Sequence, residues 1–345
     1  ENGAFTEVAM TYINLPKVDF SGTAPVAYSA DSKEEQFLMP NLHYVSPMVG
    51  NWRYGLSITA PAGLSKRWDE TFPKASAEEF TLKVIEVNPT ASYLVNDNLS
   101  LGFGLRGVYT EGVIKQQQAG MYQNKMDADS IDFGYNLALS YKPIQDLTLA
   151  ATYRSKVNLT VSGDAETTLD GVNRSGGVST HIPLPASLAV AAAYTMNKTT
   201  AEFVYERTYW SAYDSLDFQF DNTNAEAALG VKRQKNWKDV NAYRIGVSHQ
   251  YSDALKLMAG FAIDKTPTPD NTLGFELPDS DAKLYSVGFE YKLSQNLKMG
   301  LAYLYDVKED RTVSNYNAAT NQTGSTGTFS NSVAHLVTAS FKYKF

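Results

Sequence analysis

The sequence predicts an all-β chain: a transmembrane antiparallel up-and-down β-barrel of about 14 strands, closed into one cylinder. Three observations carry that prediction. Apolar and polar residues alternate with a period of two in run after run. Short turns alternate strictly with long polar connections. The chain ends on an alternating strand whose last residue is the aromatic Phe345. A strand points successive side chains to opposite faces, so the period of two is its signature. In a bilayer only a closed barrel leaves no strand edge without partners.

The last strand shows the pattern most clearly. His335, Val337, Ala339, Phe341, Tyr343 and Phe345 form one face, and Leu336, Thr338, Ser340, Lys342 and Lys344 the other. The edge strand of a soluble sandwich is the competing interpretation of this stretch alone. Leu99, Leu101, Phe103, Leu105 and Tyr109 likewise oppose Ser100, Gly102, Gly104, Arg106 and Thr110. The runs beginning at Leu255 and Leu297 repeat the alternation. Each is long enough for the ~9–11 residues that cross a hydrocarbon layer at a tilt.

Tight turns follow an aromatic and precede a Leu-x-Leu or similar restart. They fall after Tyr93, Tyr141, Tyr251 and Tyr291, more weakly after Tyr194, and between Pro47 and Trp52. Asn, Asp and Ser in these turns suit hairpins. The long connections are expected at Thr23–Gln36, Lys66–Ala77, Gln117–Ser130, Gly163–Thr180, Asp221–Asn236, Lys265–Lys283 and Thr312–Asn331. No boundary divides the chain, so residues 1–345 are expected to form a single transmembrane barrel domain.

Composition agrees with this and excludes other classes. The 345 residues contain no cysteine, which removes disulfides, thiolate metal sites and cysteine nucleophiles. Thirty basic residues against 37 acidic give a net charge of −7, without the basic excess of a nucleic-acid binder. No apolar run is long enough for a membrane-spanning helix. A mean hydropathy of −0.30 fits a barrel, whose apolar outside and polar inside average out. The 22 Tyr and 16 Phe suit strands and interfacial aromatic belts.

Gly102-Phe-Gly104-Leu-Arg-Gly107 has the glycine spacing of a dinucleotide site, but alternation continues through it and no helix follows. The four histidines share no ligand spacing, and Asp127/Asp129 and Asp279/Asp281 do not fit a calcium loop, so no metal or other cofactor is expected. No nucleophile elbow is present, and the chain is not expected to be an enzyme. An outer-membrane lipid hydrolase using Ser187 and His181, and a general diffusion porin, stand as alternatives. Arg106, Arg154 and Arg244 have the inward parity of their strands. Facing lipid near the midplane each would cost about 2–4 kcal/mol. They are expected either to pair with barrel carboxylates such as Asp264 or Glu202, or to meet an anionic ligand. Trp52 to Leu64 alternates as far as Thr59. Beyond it, Pro61 and Gly63 mean either an inward bend that opens the wall or the end of the strand.

Several stretches resemble the FadL/TodX family of outer-membrane long-chain fatty-acid and hydrocarbon transporters. They include Phe5 to Pro25, Met39 to Pro47, Tyr54 to Leu64 and Tyr153 to Val157. Trp237-Lys-Asp with Tyr243-Arg-Ile-Gly, Phe261 to Pro267 and Leu277 to Asp281 complete the set. The resemblance runs the whole length in order. It implies a monomer in the Gram-negative outer membrane, in contact with its lipid and lipopolysaccharide. It implies uptake of a hydrophobic small molecule, such as a long-chain fatty acid or an aromatic hydrocarbon, through an interior pocket. It places a lateral opening at Gly63 beside Pro61, and basic pocket positions near Lys115 or Gln116 and on Arg233. With Arg154 and Arg244, these are the expected ligand-binding residues. The family's N-terminal hatch is expected to be missing, since Glu1 already stands at the first strand, and the segment Gln117–Ser130 is short for the family's capture groove.

Overall fold

The computed structural model describes residues 3–24, 26–314 and 326–345. It is a closed antiparallel barrel of 14 strands. In chain order they are β1 Phe5–Leu15, β2 Glu35–Val45, β3 Trp52–Arg67, β4 Glu79–Asn96, β5 Leu99–Gln118 and β6 Tyr122–Ile144. β7 has a lower half, Leu147–Arg154, and an upper half, Val157–Leu169; β8 descends through Gly176–Leu184 and Ser187–Met196. The rest are β9 Thr199–Thr208, β10 Val240–Gln250, β11 Leu255–Asp264, β12 Ala282–Lys292, β13 Leu297–Lys308 and β14 Val333–Lys344. Closure is made by the terminal strands: Phe5 pairs with Lys344 and Asn14 with His335. The Phe345 N–H adds a bond to the Ala4 carbonyl at 3.0 Å.

Side-chain parity follows the sequence pattern. Leu101, Phe103, Leu105 and Tyr109 are exposed on the outer face, while Arg106 and Thr110 are buried inside. The aromatics flanking the tight turns are exposed as well, among them Trp52, Tyr93, Tyr141 and Tyr291. Each is placed where an amphipathic ring meets a membrane interface.

Two expected loops are strand. Gln117–Ser130 is the top of the β5–β6 hairpin, paired out to Gln118 and Tyr122, and Gly163–Thr180 is largely the top of β7–β8. Both lack an apolar outward face, as hairpins that rise past the hydrocarbon do, while Met126, Ala165 and Val178 are buried inside. The remaining long connections build a cap. Asp19–Gly22, Tyr28–Asp31, Arg311–Ser314 and Thr326–Ser330 form a small sheet whose core includes Phe20, Trp68, Phe275 and Phe329. The connection expected at Thr312–Asn331 runs partly through residues 315–325, outside those described. Two short helices, α1 Thr71–Ala77 and α2 Thr223–Leu229, complete the cap. Asn222 caps α2 by accepting from the Asn224 and Ala225 N–H groups.

Arg106 and Glu86 sit inside this wall at 2% and 1% exposure and bond at 2.8 Å. Arg154 reaches the same carboxylate at 2.7 Å. Arg106 also donates to the Ser155 carbonyl, at the point where the two halves of β7 part. The expected partners, Asp264 and Glu202, are therefore replaced by Glu86, which the strand registers bring between both arginines. Without Arg106, Glu86 keeps Arg154 but the buried Ser155 carbonyl loses its side-chain donor. Arg106→Ala is thus expected to destabilise the barrel by about 1–3 kcal/mol, read as a lower urea midpoint in the folded-to-unfolded gel shift. An unchanged midpoint would exclude this role.

Candidate functional site

β3 does not end at Thr59. It runs on to Arg67, with a register shift against β4 between Thr59 and Ala62 that leaves Ala60 and Pro61 bulged. Pro61 has no N–H for a ladder, and a bulge bends the strand that carries it. On its other side β3 pairs with β2 only from Gly55↔Val45 to Ile58↔Leu42. Beyond that point residues 59–64 of β3 and 36–41 of β2 face each other with no ladder between them. Pro40, opposite Met10 of β1, stands on the β2 margin of this gap and also has no N–H to offer. The strands rejoin at the top: Ser65 Oγ donates to the buried Glu35 carboxylate, and the Lys33 N–H to the Arg67 carbonyl at 2.9 Å. A Cβ added at Gly63 would meet only the Leu82 carbonyl, at 3.8 Å.

Pro61, Ala62, Gly63 and Leu64 line one side of an interior cavity of about 660 Å³. Its apolar lining includes Phe80, Leu82, Val84, Leu159, Ile182, Leu184, Trp210 and Trp237. Charged groups collect on other walls. Arg154 and Arg244 both line the cavity; Lys115 and Arg233 lie outside its lining. Lys115 is 2.7 Å from Glu79, and Arg233 pairs with Leu216 in a short two-stranded sheet of the cap. Gln116 donates to the Ser76 carbonyl of α1 at 3.1 Å.

Every cation on the cavity wall has a carboxylate partner. Arg106 and Arg154 share Glu86; Arg244 is 2.6 Å from Glu206; Lys235, Lys265 and Lys308 meet Glu276, Asp281 and Asp279. Two buried donors are different. The Trp237 indole N–H and the Thr268 hydroxyl have no partner among the described residues, and both residues line the cavity. Their segments, distant along the chain, are joined next to both residues by the Lys238 N–H bond to the Pro267 carbonyl at 2.9 Å. A sequence shows a tryptophan at this position but not that its nitrogen is unmatched. Ser187 lines the cavity, whereas His181 is exposed and lies outside its lining, and no hydrogen bond between them is among the described contacts. Gly102 to Gly107 lies in the middle of β5, with no helix after it.

A closed barrel with a lipid-facing outer wall, an interior cavity and a gap beside that cavity defines an outer-membrane transport protein. The chain belongs to the family described as Outer membrane protein transport protein (OMPP1/FadL/TodX), whose model matches residues 4–345. Its place is the Gram-negative outer membrane. The long-chain fatty acid transport protein of Escherichia coli (strain K12) is 26% identical over 340 residues, covering 84% of this chain and 76% of that one. Outer membrane protein P1 of Haemophilus influenzae is 22% identical over 352 residues, covering 89% and 75%. A Pseudomonas aeruginosa FadL homologue superposes with a TM-score of 0.85 at 18% identity, over all of this chain and 91% of the other. The P. putida toluene transporter TodX gives 0.77 at 16%, over all of this chain and 91% of its own. These two likenesses are likenesses of fold.

The cap segment over the cavity, residues 265–281, is tied down by charge. Burial pushes the Asp281 carboxyl up, but the hydrogen bonds from Lys265 and the Thr266 N–H, with the Lys265 charge, outweigh it and leave it below its ordinary value. Burial likewise raises Glu276, and the Lys235 charge and hydrogen bond bring it below its ordinary value. A depressed carboxyl stabilises the folded form above its unfolded pKa, about 3.9 for Asp and 4.3 for Glu. That contribution is lost as pH falls from there through the folded value. Hydrogen exchange across residues 265–281, corrected for the intrinsic rate, is expected to accelerate below about pH 4, and Asp281→Asn to accelerate it already at neutral pH. Protection unchanged at pH 3 would show that these pairs do not hold the cap segment.

Proposed function

We propose that this barrel takes up a hydrophobic amphiphile, a long-chain fatty acid, by holding it in the interior cavity and releasing it sideways through the gap beside Pro61 and Gly63. The cavity itself carries the proposal. An apolar chamber keeps a greasy chain out of water, at about 0.8 kcal/mol per buried methylene. The gap leads from that chamber to the bilayer without a return to water.

Size supports a chain over a single ring. A cavity of about 150 Å³ holds benzene, and this one is about 660 Å³. Polarity supports an oxygen-bearing head group, since the Trp237 N–H and the Thr268 hydroxyl are buried donors that a hydrocarbon would leave unmatched. Arg154 and Arg244 are the proposed charged contacts. Arg154 belongs to a cluster of two arginines around one carboxylate, so one positive charge there is left for an anionic head. The relatives' names support both cargo classes: the Escherichia coli relative is called a long-chain fatty acid transport protein and TodX a toluene transporter. The proposed working form is a monomer among outer-membrane lipid and lipopolysaccharide, acting as a passive channel and not as an enzyme.

Two experiments test this. Gly63→Arg fills the gap from a position where a Cβ is tolerated. It is expected to abolish uptake of a radiolabelled long-chain fatty acid while the barrel still assembles, and normal uptake by the folded variant would refute the sideways route. Trp237→Phe keeps the ring and removes the donor. It is expected to weaken fatty-acid binding about 5- to 10-fold, the effect of one lost hydrogen bond, and to leave toluene binding unchanged. Equal losses for both ligands would assign Trp237 to packing alone.

A further inference from the structure

The wall ladder is interrupted a second time, four strands further round. β6 and the lower half of β7 pair from Ile144↔Leu147 up to Asn136↔Arg154. Pairing resumes at Asp129↔Ser162, one residue out of register, and continues to Tyr122↔Leu169. Between them residues 130–135 and 155–161 form no ladder. One main-chain bond crosses, from the Ser155 N–H to the Tyr135 carbonyl at 2.9 Å. The rest of the seam is stitched by side chains. Ser155 Oγ accepts from the Tyr135 N–H at 2.9 Å, and the Asp132 carboxylate from the Thr160 N–H at 3.1 Å. From inside, Arg106 supplies the donor that the Ser155 carbonyl would otherwise lack.

The seam has the same surroundings as the gap beside Gly63. Leu38, on the margin of that gap, is 69% exposed; Ile131 and Phe133, on the margin of the seam, are 66% and 77% exposed. All three lie where the neighbouring strand forms no ladder with their own. Behind the seam, Leu159 of β7 lines the same cavity that Pro61 to Leu64 line. Its outward neighbours Asn158 and Thr160 are polar and exposed, and the seam begins just above Tyr153, the last outward aromatic of lower β7. With apolar Ile131 and Phe133 exposed on one margin and polar Asn158 and Thr160 on the other, the seam lies at the upper edge of the lipid-facing band.

We propose that the seam between β6 and β7 is a second lateral port, through which an amphiphile lying in the outer leaflet enters the cavity. It is held shut by the Asp132–Thr160 hydrogen bond. A main-chain ladder cannot part locally without stranding its own groups. A side-chain stitch can, because the Asp132 carboxylate can release the Thr160 N–H while β8 still holds β7 from Val157↔Leu184 to Ala165↔Gly176. The polar rim receives the head group and Leu159 the chain. This proposal rests on the reading of the cavity as a cargo chamber.

Trp210 and Trp237 line the cavity and report on its contents. The test uses the full chain in phosphatidylcholine vesicles, with Trp52→Phe to remove a lipid-exposed indole and Gly63→Arg to block the first gap. A fatty acid with a nitroxide on its chain is added, and the rate of tryptophan quenching is measured. Asp132→Ala is expected to raise that rate about tenfold, the effect of losing one hydrogen bond to a charged group. Thr160→Pro removes the same bond from the donor side, at an N–H that β8 does not use, and is expected to give the same increase. If Trp52→Phe protein with Gly63 intact is quenched but neither folded variant changes the rate in the blocked background, the port is overturned and the cargo chamber stands. If that protein with Gly63 intact is not quenched at all, the cargo chamber fails and the port with it.

Discussion

The structure depends on one constraint: inside a bilayer no backbone N–H or carbonyl can go without a partner, because no water is there to replace it. This is why the terminal strands pair along nearly their whole length and why Phe345 reaches back to Ala4. It also makes any missing stretch of ladder informative. Lipid-facing irregular backbone does not survive at membrane depth unless it lines a cavity or is buried in protein. The gap between β2 and β3 lies beside a cavity of about 660 Å³, and the seam between β6 and β7 is backed by Leu159 of the same cavity. Wall and chamber are therefore one design problem, solved where strands give up their neighbours.

The charges inside follow from the same economy of partners. A lone arginine in the lumen would carry a desolvation cost that only a carboxylate or a carbonyl can offset. Arg106 has both, in Glu86 and Ser155. Its residue type invites a ligand-binding role, yet its position makes it a replacement donor for a broken ladder. Arg154, on the same carboxylate, faces the cavity and keeps the freedom that Arg106 has lost. Every cation on the cavity wall is paired, whereas the N–H of Trp237 and the hydroxyl of Thr268 have no partner among the described residues.

The barrel was legible in the sequence where the two faces of a strand meet different solvents. Phe103 and Leu105 against Gly104 and Arg106 cannot be mistaken for a helix, and the turn after Tyr93 is placed by its own residues. Legibility failed where the outward face turns polar and the buried inward face carries polar or small residues such as Asn124, Ala165 and Thr167, as in Gln117–Ser130 and Gly163–Thr180. There the apolar parity disappears although the hydrogen-bonded ladder continues. It failed again for pairings set by register. Glu86 is 20 residues from Arg106 and 68 from Arg154, and nothing local favours it over Asp264 or Glu202. The cavity is the extreme case, since its lining comes from most of the wall and from two cap segments.

The two interruptions are held in opposite ways, and the difference argues for different roles. At the gap, Pro40 and Pro61 lie on facing margins, and neither has an N–H with which to re-form a ladder. Natural sheets blunt their edges in this manner to prevent pairing, so this opening is kept permanent by covalent structure. At the seam no proline intervenes. The facing backbone groups are satisfied by Ser155, Asp132 and Arg106, whose bonds can be exchanged for others. A prolyl margin cannot close, and a stitched margin can both close and part. Both interruptions thus border the same cavity, one with prolines on its margins and the other with side-chain bonds across it, and neither needs a continuous ladder to part.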